Sequence, residues 1–347
     1  MVRIRSGWLA AIVAVSLVGA CKKNDNKAGT GSGATTTTTT TTTTAGGGAT
    51  PVAVAGTDDL SLLPVDSEMV MGLNFAQLQQ SALWKQFSPK LMEKAATGLA
   101  QFKAACGFDP LEAVKNVSMG LKGLGGTQPD GVIVVHGPEK AKVMACVDKA
   151  KAEAAKNGTE LTVDGDVFVV KDKSGQPSAF TFVGDSTLIG TIGTMGTKDG
   201  VLAAAKGQSS LKSSQMFTEM YSKINTNDSL WILMNGNSPA FSKMGSMGVK
   251  PKAIFGSINV TDGLTVDMRM RLGTPDEAKQ LVTMLQGQLN NPQVKQMFDK
   301  LDVTQDGADA KFGVAMSNQK LQQLVQMVGG MMGGMMGGGM GGPPGGP

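Results

Sequence analysis

The stretch Gly131-Val132-Ile133-Val134-Val135-His136 decides the fold class of this chain. Four β-branched apolar side chains follow one another in it without alternation. Because successive side chains of a strand point to opposite faces, a strand with this sequence must bury both of its faces. We therefore expect it in the middle of a sheet. Gly137-Pro138-Glu139 ends the strand, and the apolar positions that follow predict a helix over residues 140–156.

Short apolar segments separated by turn residues follow this predicted helix. Residues 161–163, 167–171 and 179–183 are divided by Asp164-Gly165 and by Ser174-Gly175, which are pairs that favour hairpins. Hairpins join antiparallel strands, whereas parallel strands need a helical crossover. The pattern therefore predicts the α+β class, with antiparallel-rich sheets and helices packed on one face.

The second half of the chain repeats the order of the first half. Residues 229–235 (SLWILMN) correspond to residues 68–74 (EMVMGLN), and each segment is an apolar strand that ends in Asn. Later, Thr274-Pro275-Asp276-Glu277 predicts a capped helix start at the place that Gly137-Pro138-Glu139 occupies in the first half. We therefore predict two related α+β units, at residues 58–225 and 226–328.

This tandem plan is accompanied by three short motifs: Leu63-Pro64-Val65-Asp66, Ser81-Ala82-Leu83-Trp84 and Phe108-Asp109-Pro110-Leu111-Glu112. With them the body of the chain resembles a set of uncharacterised bacterial envelope lipoproteins of unknown function. The resemblance extends over most of residues 62–328. It implies an architecture and contributes no active site.

The N-terminus carries a more specific motif. Arg3 and Arg5 precede an apolar segment at residues 7–17, which is the layout of a secretory signal peptide over residues 1–20. The following Val18-Gly19-Ala20-Cys21 resembles the lipobox of bacterial lipoproteins, which implies cleavage before Cys21 and acylation of Cys21. The alternative is an uncleaved transmembrane helix, but the apolar run is shorter than the roughly 20 residues that a span requires.

The same resemblance implies a location in the cell envelope, with a lipid anchor at the membrane. Lys22 follows the cysteine, so the acidic residue that retains lipoproteins of enteric bacteria in the inner membrane is absent. The outer membrane is therefore favoured over the inner membrane. Residues 21–57, which include ten consecutive threonines at 35–44, hold almost nothing that could be buried and predict a disordered tether.

The C-terminal residues 329–347 consist mainly of glycine and methionine and predict a disordered tail. One interpretation of the tail is a metal site, because thioethers suit Cu(I). The candidate ligands are Met331, Met332, Met335, Met336 and Met340. The alternative is an extension that packs against nothing.

Charge and composition exclude nucleic acid as a partner. Without Arg3 and Arg5, 30 basic residues remain against 28 acidic ones, a net charge of +2. Arg269 and Arg271 are then the only arginines, although arginine makes most bidentate contacts with phosphate and guanine. The scattered lysines form no basic cluster.

Few side chains are candidates for a site. His136 is the only histidine, so a histidine-rich metal site is excluded, and we expect a structural role for it instead of catalysis. Arg269 and Arg271 share one strand face with Asp267, which could hold an anionic ligand or be the solvated side of a half-buried strand. Cys106 and Cys146 could form a disulfide or remain two separately buried thiols.

These observations predict a non-enzymatic envelope lipoprotein that acts as a binding or scaffolding module. No catalytic residue and no cofactor is expected. The expected partners are the membrane, through the lipid anchor, and an unknown envelope protein or ligand. The alternatives are a hydrolase of unrecognised type and a Cu(I)-binding tail.

Overall fold

The computed structural model describes residues 59–323 apart from 94, 126–128, 157–158, 173–174, 239–240, 242–248 and 290. The predicted signal peptide, Cys21, the tether and the Gly/Met tail lie outside the described residues, so those predictions stay predictions.

Twelve strands form one antiparallel sheet. In chain order they are β1 (Met69–Asn74), β2 (Asn116–Lys122), β3 (Asp130–His136), β4 (Glu160–Asp164), β5 (Val167–Lys171), β6 (Pro177–Val183), β7 (Thr187–Ile192), β8 (Leu230–Asn235), β9 (Ala253–Asn259), β10 (Gly263–Arg271), β11 (Lys300–Asp306) and β12 (Asp309–Ser317). The α+β class and the antiparallel pairing are confirmed. The apolar strand β3 lies inside the sheet, between β2 and β7.

The helices of the described chain are mostly short. The α-helices that lie wholly within the described residues are α1 (Asp59–Leu62), α2 (Phe75–Gln80), α3 (Ala82–Glu93), α4 (Ala96–Cys106), α5 (Pro110–Ala113), α6 (Lys140–Lys156), α7 (Lys198–Ala205), α8 (Gln215–Tyr221), α9 (Pro275–Leu289) and α10 (Pro292–Met297), and residues 318–323 are helical as well. The predicted start of α9 is confirmed, because Thr274 Oγ1 accepts a hydrogen bond from the N–H of Glu277 at 3.2 Å. The Glu277 carboxylate in turn accepts one from the N–H of Gly273 at 2.9 Å.

The strand order is β11-β12-β10-β9-β8-β1-β2-β3-β7-β6-β5-β4. Counted from the middle of the sheet outward, one half has the strand order β1-β2-β3-β7-β6, and the other half has the corresponding order β8-β9-β10-β12-β11. We call these two halves the strand series. In each series a long helix follows the third strand. The two series meet where β1 pairs with β8, with Met71 opposite Ile232. These two residues are equivalent in the sequence repeat, so a local two-fold axis passes between them. The division into two units stays a prediction, since the sheet runs across the predicted boundary.

We call the side of the sheet that carries Val70 and Trp231 the core face. Val70, Trp231 and Phe255 pack there with Val201 of α7 and Met220 of α8 in the largest buried cluster. The cluster joins strands from both halves of the chain. It therefore binds the two strand series together.

We call the opposite side, which carries Met71 and Ile232, the methionine face. Val143 and Val147 of α6 pack against it at one end of the sheet, with Phe168 and Phe180. Leu281 and Val282 of α9 pack against it at the other end. Helices therefore lie against both faces of the sheet and not against one face, as the sequence predicted, because strands such as β3 carry apolar side chains on both sides.

Candidate functional site

The middle of the methionine face, between α6 and α9, is a continuous apolar surface. Cross-strand pairing aligns its side chains in three rows: Leu121, Met69, Met234 and Ile254; Met71, Ile232 and Met268; and Leu73, Leu230, Ile258, Val266 and Val314. All twelve are half-buried. None of them belongs to a buried cluster of the described chain or is packed against one.

Each row reaches a buried cluster at one end or at both ends. Val117 and Met119 extend two of the rows on β2 and pack with the cluster under α6, while Met270 extends the first row on β10 and packs with the cluster under α9. The open surface is thus flanked by two helices. Six strands at about 4.8 Å spacing make it roughly 24 Å wide, and three rows make it roughly 14 Å high.

This surface carries no charged side chain in its rows, so contact with apolar groups is favourable and contact with unpaired polar groups is costly. Its area is roughly 300–400 Å² from the strand and row spacings. A contiguous apolar patch of that size equals the largest patch on a typical monomer and is often functional. The methionine face is therefore the main candidate binding surface.

His136 lies at the end of β3 on the core face and is held from both sides. Its Nε2 donates a hydrogen bond to Oδ1 of Asp59 at 2.7 Å, and its Nδ1 lies 3.2 Å from Oγ1 of Thr187. The Asp59 side chain is 4% exposed. The hydrogen bond with Asp59 raises the pKa of His136 above its ordinary value, against the opposing effect of burial.

Asp59, His136 and Thr187 thus place a carboxylate, an imidazole and a hydroxyl in a row. Hydrolases use such a row to activate the hydroxyl as a nucleophile. The cavity in the same region lies on the other side of the sheet and does not reach His136. It measures about 40 Å³ and is lined by apolar residues and Cys146, among them Val143, Phe168 and Leu188. Ligand pockets are commonly several hundred Å³, so this cavity is a packing gap.

Arg269 and Arg271, the predicted ligand face, are occupied by neighbouring carboxylates. Arg269 Nη1 donates to Asp306 at 2.6 Å, and Arg271 donates through Nε and Nη2 to Asp309 and through Nη1 to Glu219. Burial acts to raise the pKa of Asp309, but hydrogen bonds from Arg271 and Lys223 outweigh it and leave that pKa below its ordinary value. The guanidinium groups thus already have anionic partners within the chain.

Cys106 and Cys146 lie at the end of α4 and inside α6, and the structure joins them as a disulfide with their Cα atoms 4.7 Å apart. This separation lies in the usual range for a disulfide. The bond ties α4 to the helix that covers one end of the methionine face. It closes a loop of 40 residues, which the chain-entropy model values at about 4 kcal/mol.

Within residues 59–323, the gaps excepted, no three His, Cys, Asp or Glu side chains come together as a metal site. No helix among those described residues is long and apolar enough to cross a bilayer. Cys21 and the five candidate Cu(I) ligands, Met331, Met332, Met335, Met336 and Met340, lie outside the described residues.

Two features of the site were not predicted from the sequence, namely the contact between Asp59 and His136 and the methionine face. Asp59 and His136 are 77 positions apart, and no motif links them. The methionine face did have a signal, because β1, β8 and β10 are apolar at alternate positions that the core face does not use. These alternate positions indicate one continuous surface only when the strand order is known, because the order brings β1, β8 and β10 close together in the sheet.

Comparison of the chain with protein-family models, with curated proteins and with solved structures finds no match.

Proposed function

We propose that this chain is a non-enzymatic binding module of the bacterial cell envelope, anchored to a membrane through acylated Cys21, that binds its partner on the methionine face. The observation that supports the binding surface is the set of three apolar rows between α6 and α9, whose side chains are half-buried. The anchoring rests on Val18-Gly19-Ala20-Cys21.

The physical basis is the burial of apolar area. Covering roughly 300–400 Å² at about 25 cal/mol/Å² yields about 8–10 kcal/mol before the cost of association. The rows contain no hydrogen-bonding side chain, so the partner must offer an apolar surface of similar size. Such a surface selects partners by shape and apolar character.

Binding of Nile red, a neutral dye that fluoresces on apolar surfaces, tests this proposal on a chain that begins at Lys22. We expect saturable binding that weakens when Met71→Ser and Ile232→Ser are combined, because these two residues face each other at the centre of the rows. Met284→Ser is the matched control, since Met284 is 52% exposed on α9 and lies outside the rows.

The melting temperature of each variant shows whether it is folded. Dye binding that is absent, or that Met284→Ser weakens as much as the central pair of substitutions, would rule out the methionine face as the binding surface.

Fractionation of cells that express Cys21→Ser tests the anchor. We expect an uncleaved precursor without covalent lipid, because both acylation and processing require the thiol. Cys106→Ser is the control and should remain lipidated and membrane-bound. Covalent lipid on the Cys21→Ser protein would disprove the anchor.

One observation favours the alternative of a hydrolase, namely the placement of His136 between Asp59 and Thr187. The test is ester turnover by the purified chain with and without His136→Ala. Turnover that this substitution abolishes, and that Thr187→Val also abolishes, would establish the hydrolase in place of the binding module.

A further inference from the structure

We propose that the C-terminal segment of the same chain, residues 324–347, occupies the methionine face. The inference rests on the proposed function, because it assigns the resident occupant of the proposed binding surface. It also differs from the expectation drawn from the sequence that this tail packs against nothing.

The first argument is the place where the described chain ends. Met316, near the end of β12, lies opposite Leu264 on the methionine face and is 5% exposed. Residues 318–323 are helical, and Leu321 among them is 8% exposed. Lys320 holds this turn in place through Asp299 at 3.0 Å and the carbonyl oxygen of Phe298 at 2.7 Å. The chain therefore leaves the described body at the border of the apolar rows.

The second argument is reach. The 24 residues that follow Gln323 have a root-mean-square span of about 25–29 Å if they behave as a glycine-rich coil. This matches the roughly 24 Å width of the apolar surface. A segment tethered at the edge of its own target acts at an effective concentration in the millimolar range. Even weak contacts are then enough to cover the surface for most of the time.

The third argument is composition. Residues 324–347 contain no charged side chain but six methionines, at 327, 331, 332, 335, 336 and 340. The rows themselves carry Met69, Met71, Met234 and Met268. Unbranched methionines fit irregular apolar surfaces, and the glycines between them let the backbone approach the sheet closely. The segment and the surface are therefore complementary.

A second copy of the chain is the competing occupant, and the area argues against it. A stable protein interface buries about 800 Å² per partner, whereas the open rows offer roughly 300–400 Å². The single tail needs no such area because it is already tethered.

Disulfide mapping in the full lipoprotein tests the proposal. Ile232→Cys is combined with Met335→Cys, and the control combines Thr265→Cys with Met335→Cys, because Thr265 is exposed on the core face of β10. We expect an intramolecular disulfide in the first pair at a yield well above that of the control. Equal yields would overturn the proposal, and a disulfide between two chains would overturn it in favour of a second copy.

A second measurement separates this inference from the proposed function. Replacing the methionines at 331, 332, 335, 336 and 340 by serine should lower the apparent Kd for Nile red about tenfold, if the tail covers the surface in about nine of ten molecules. Replacing the same five by leucine should leave the Kd unchanged. Dye binding that depends on Ile232 but not on these methionines would overturn the inference alone. Absence of dye binding in every variant would overturn both proposals.

Discussion

At the scale of single residues, the side chain of His136 connects the start of the described chain to the middle of the sheet. Asp59 opens α1 and is almost fully buried, and its Oδ1 accepts the hydrogen bond from His136. A buried carboxylate needs such a partner, because removal from water is costly for an unpaired charge. The pair therefore holds α1 against β3.

We predict that this pair makes stability depend on pH. The folded-state pKa of His136 is raised above its ordinary value of 6.5, so the stabilisation is fully present below about pH 6.5 and is lost as pH rises through the folded-state pKa. Urea unfolding at about pH 6 and at about pH 9, on either side of the ordinary pKa, should show a lower free energy of unfolding at the higher pH.

His136→Gln should remove this pH dependence and cost about 1–3 kcal/mol at the lower pH, since Asp59 loses a charged partner. Thr187→Val is the control and should keep the dependence, because the bond with Asp59 remains. An unchanged pH dependence in His136→Gln would show that other groups cause it.

At the scale of elements, Gly72 lets two central strands pack. It lies in β1 opposite Trp231 of β8, and the indole ring covers its Cα on the core face. A Cβ atom at position 72 would lie 2.2 Å from Nε1 of Trp231. Tyr221 of α8 packs edge-to-face against the same indole ring, with the ring centroids 5.2 Å apart. The indole ring therefore has little freedom to move.

Gly72→Ala should therefore lower the free energy of unfolding by about 1–3 kcal/mol through overpacking. Gly287→Ala is the matched comparison, because Gly287 is inside α9 with open space around its Cα. That substitution should raise the free energy of unfolding by about 0.5–1 kcal/mol, since alanine favours the helix. Urea unfolding measures both, and a neutral Gly72→Ala would show that the indole ring can shift.

At the scale of the whole molecule, the sheet joins the two predicted units. β1 and β8 pair over five residues each, and Val70 and Val132 share a buried cluster with Trp231 and Phe255. Unfolding of either half would expose this cluster and leave an unpaired strand in the other half. The two halves should therefore unfold together.

We predict a single unfolding transition in urea. Trp84→Phe, in a chain that begins at Lys22, leaves Trp231 as the only fluorescent tryptophan, and its transition should coincide with that of far-ultraviolet circular dichroism. Two separate transitions would show that residues 58–225 and 226–328 are independent units, as the sequence repeat suggests.

The sequence alone was enough for the features that depend on neighbouring residues. The unalternated apolar run of β3 predicted a central strand, Asp164-Gly165 predicted the β4–β5 hairpin, and Thr274 with Glu277 predicted the start of α9. The strand, the hairpin and the helix start each depend on interactions among residues that are close in sequence. A local sequence pattern is therefore enough to predict them.

Only the tertiary structure decided which distant segments meet. The pairing of β1 with β8 leaves the methionine face open between α6 and α9, Asp309 neutralises Arg271 from 38 positions away, and Asp59 reaches His136 from 77. Each of these contacts depends on the free energy of many strands and helices packing at once. The binding surface is consequently a property of the strand order, and no single stretch of sequence contains it.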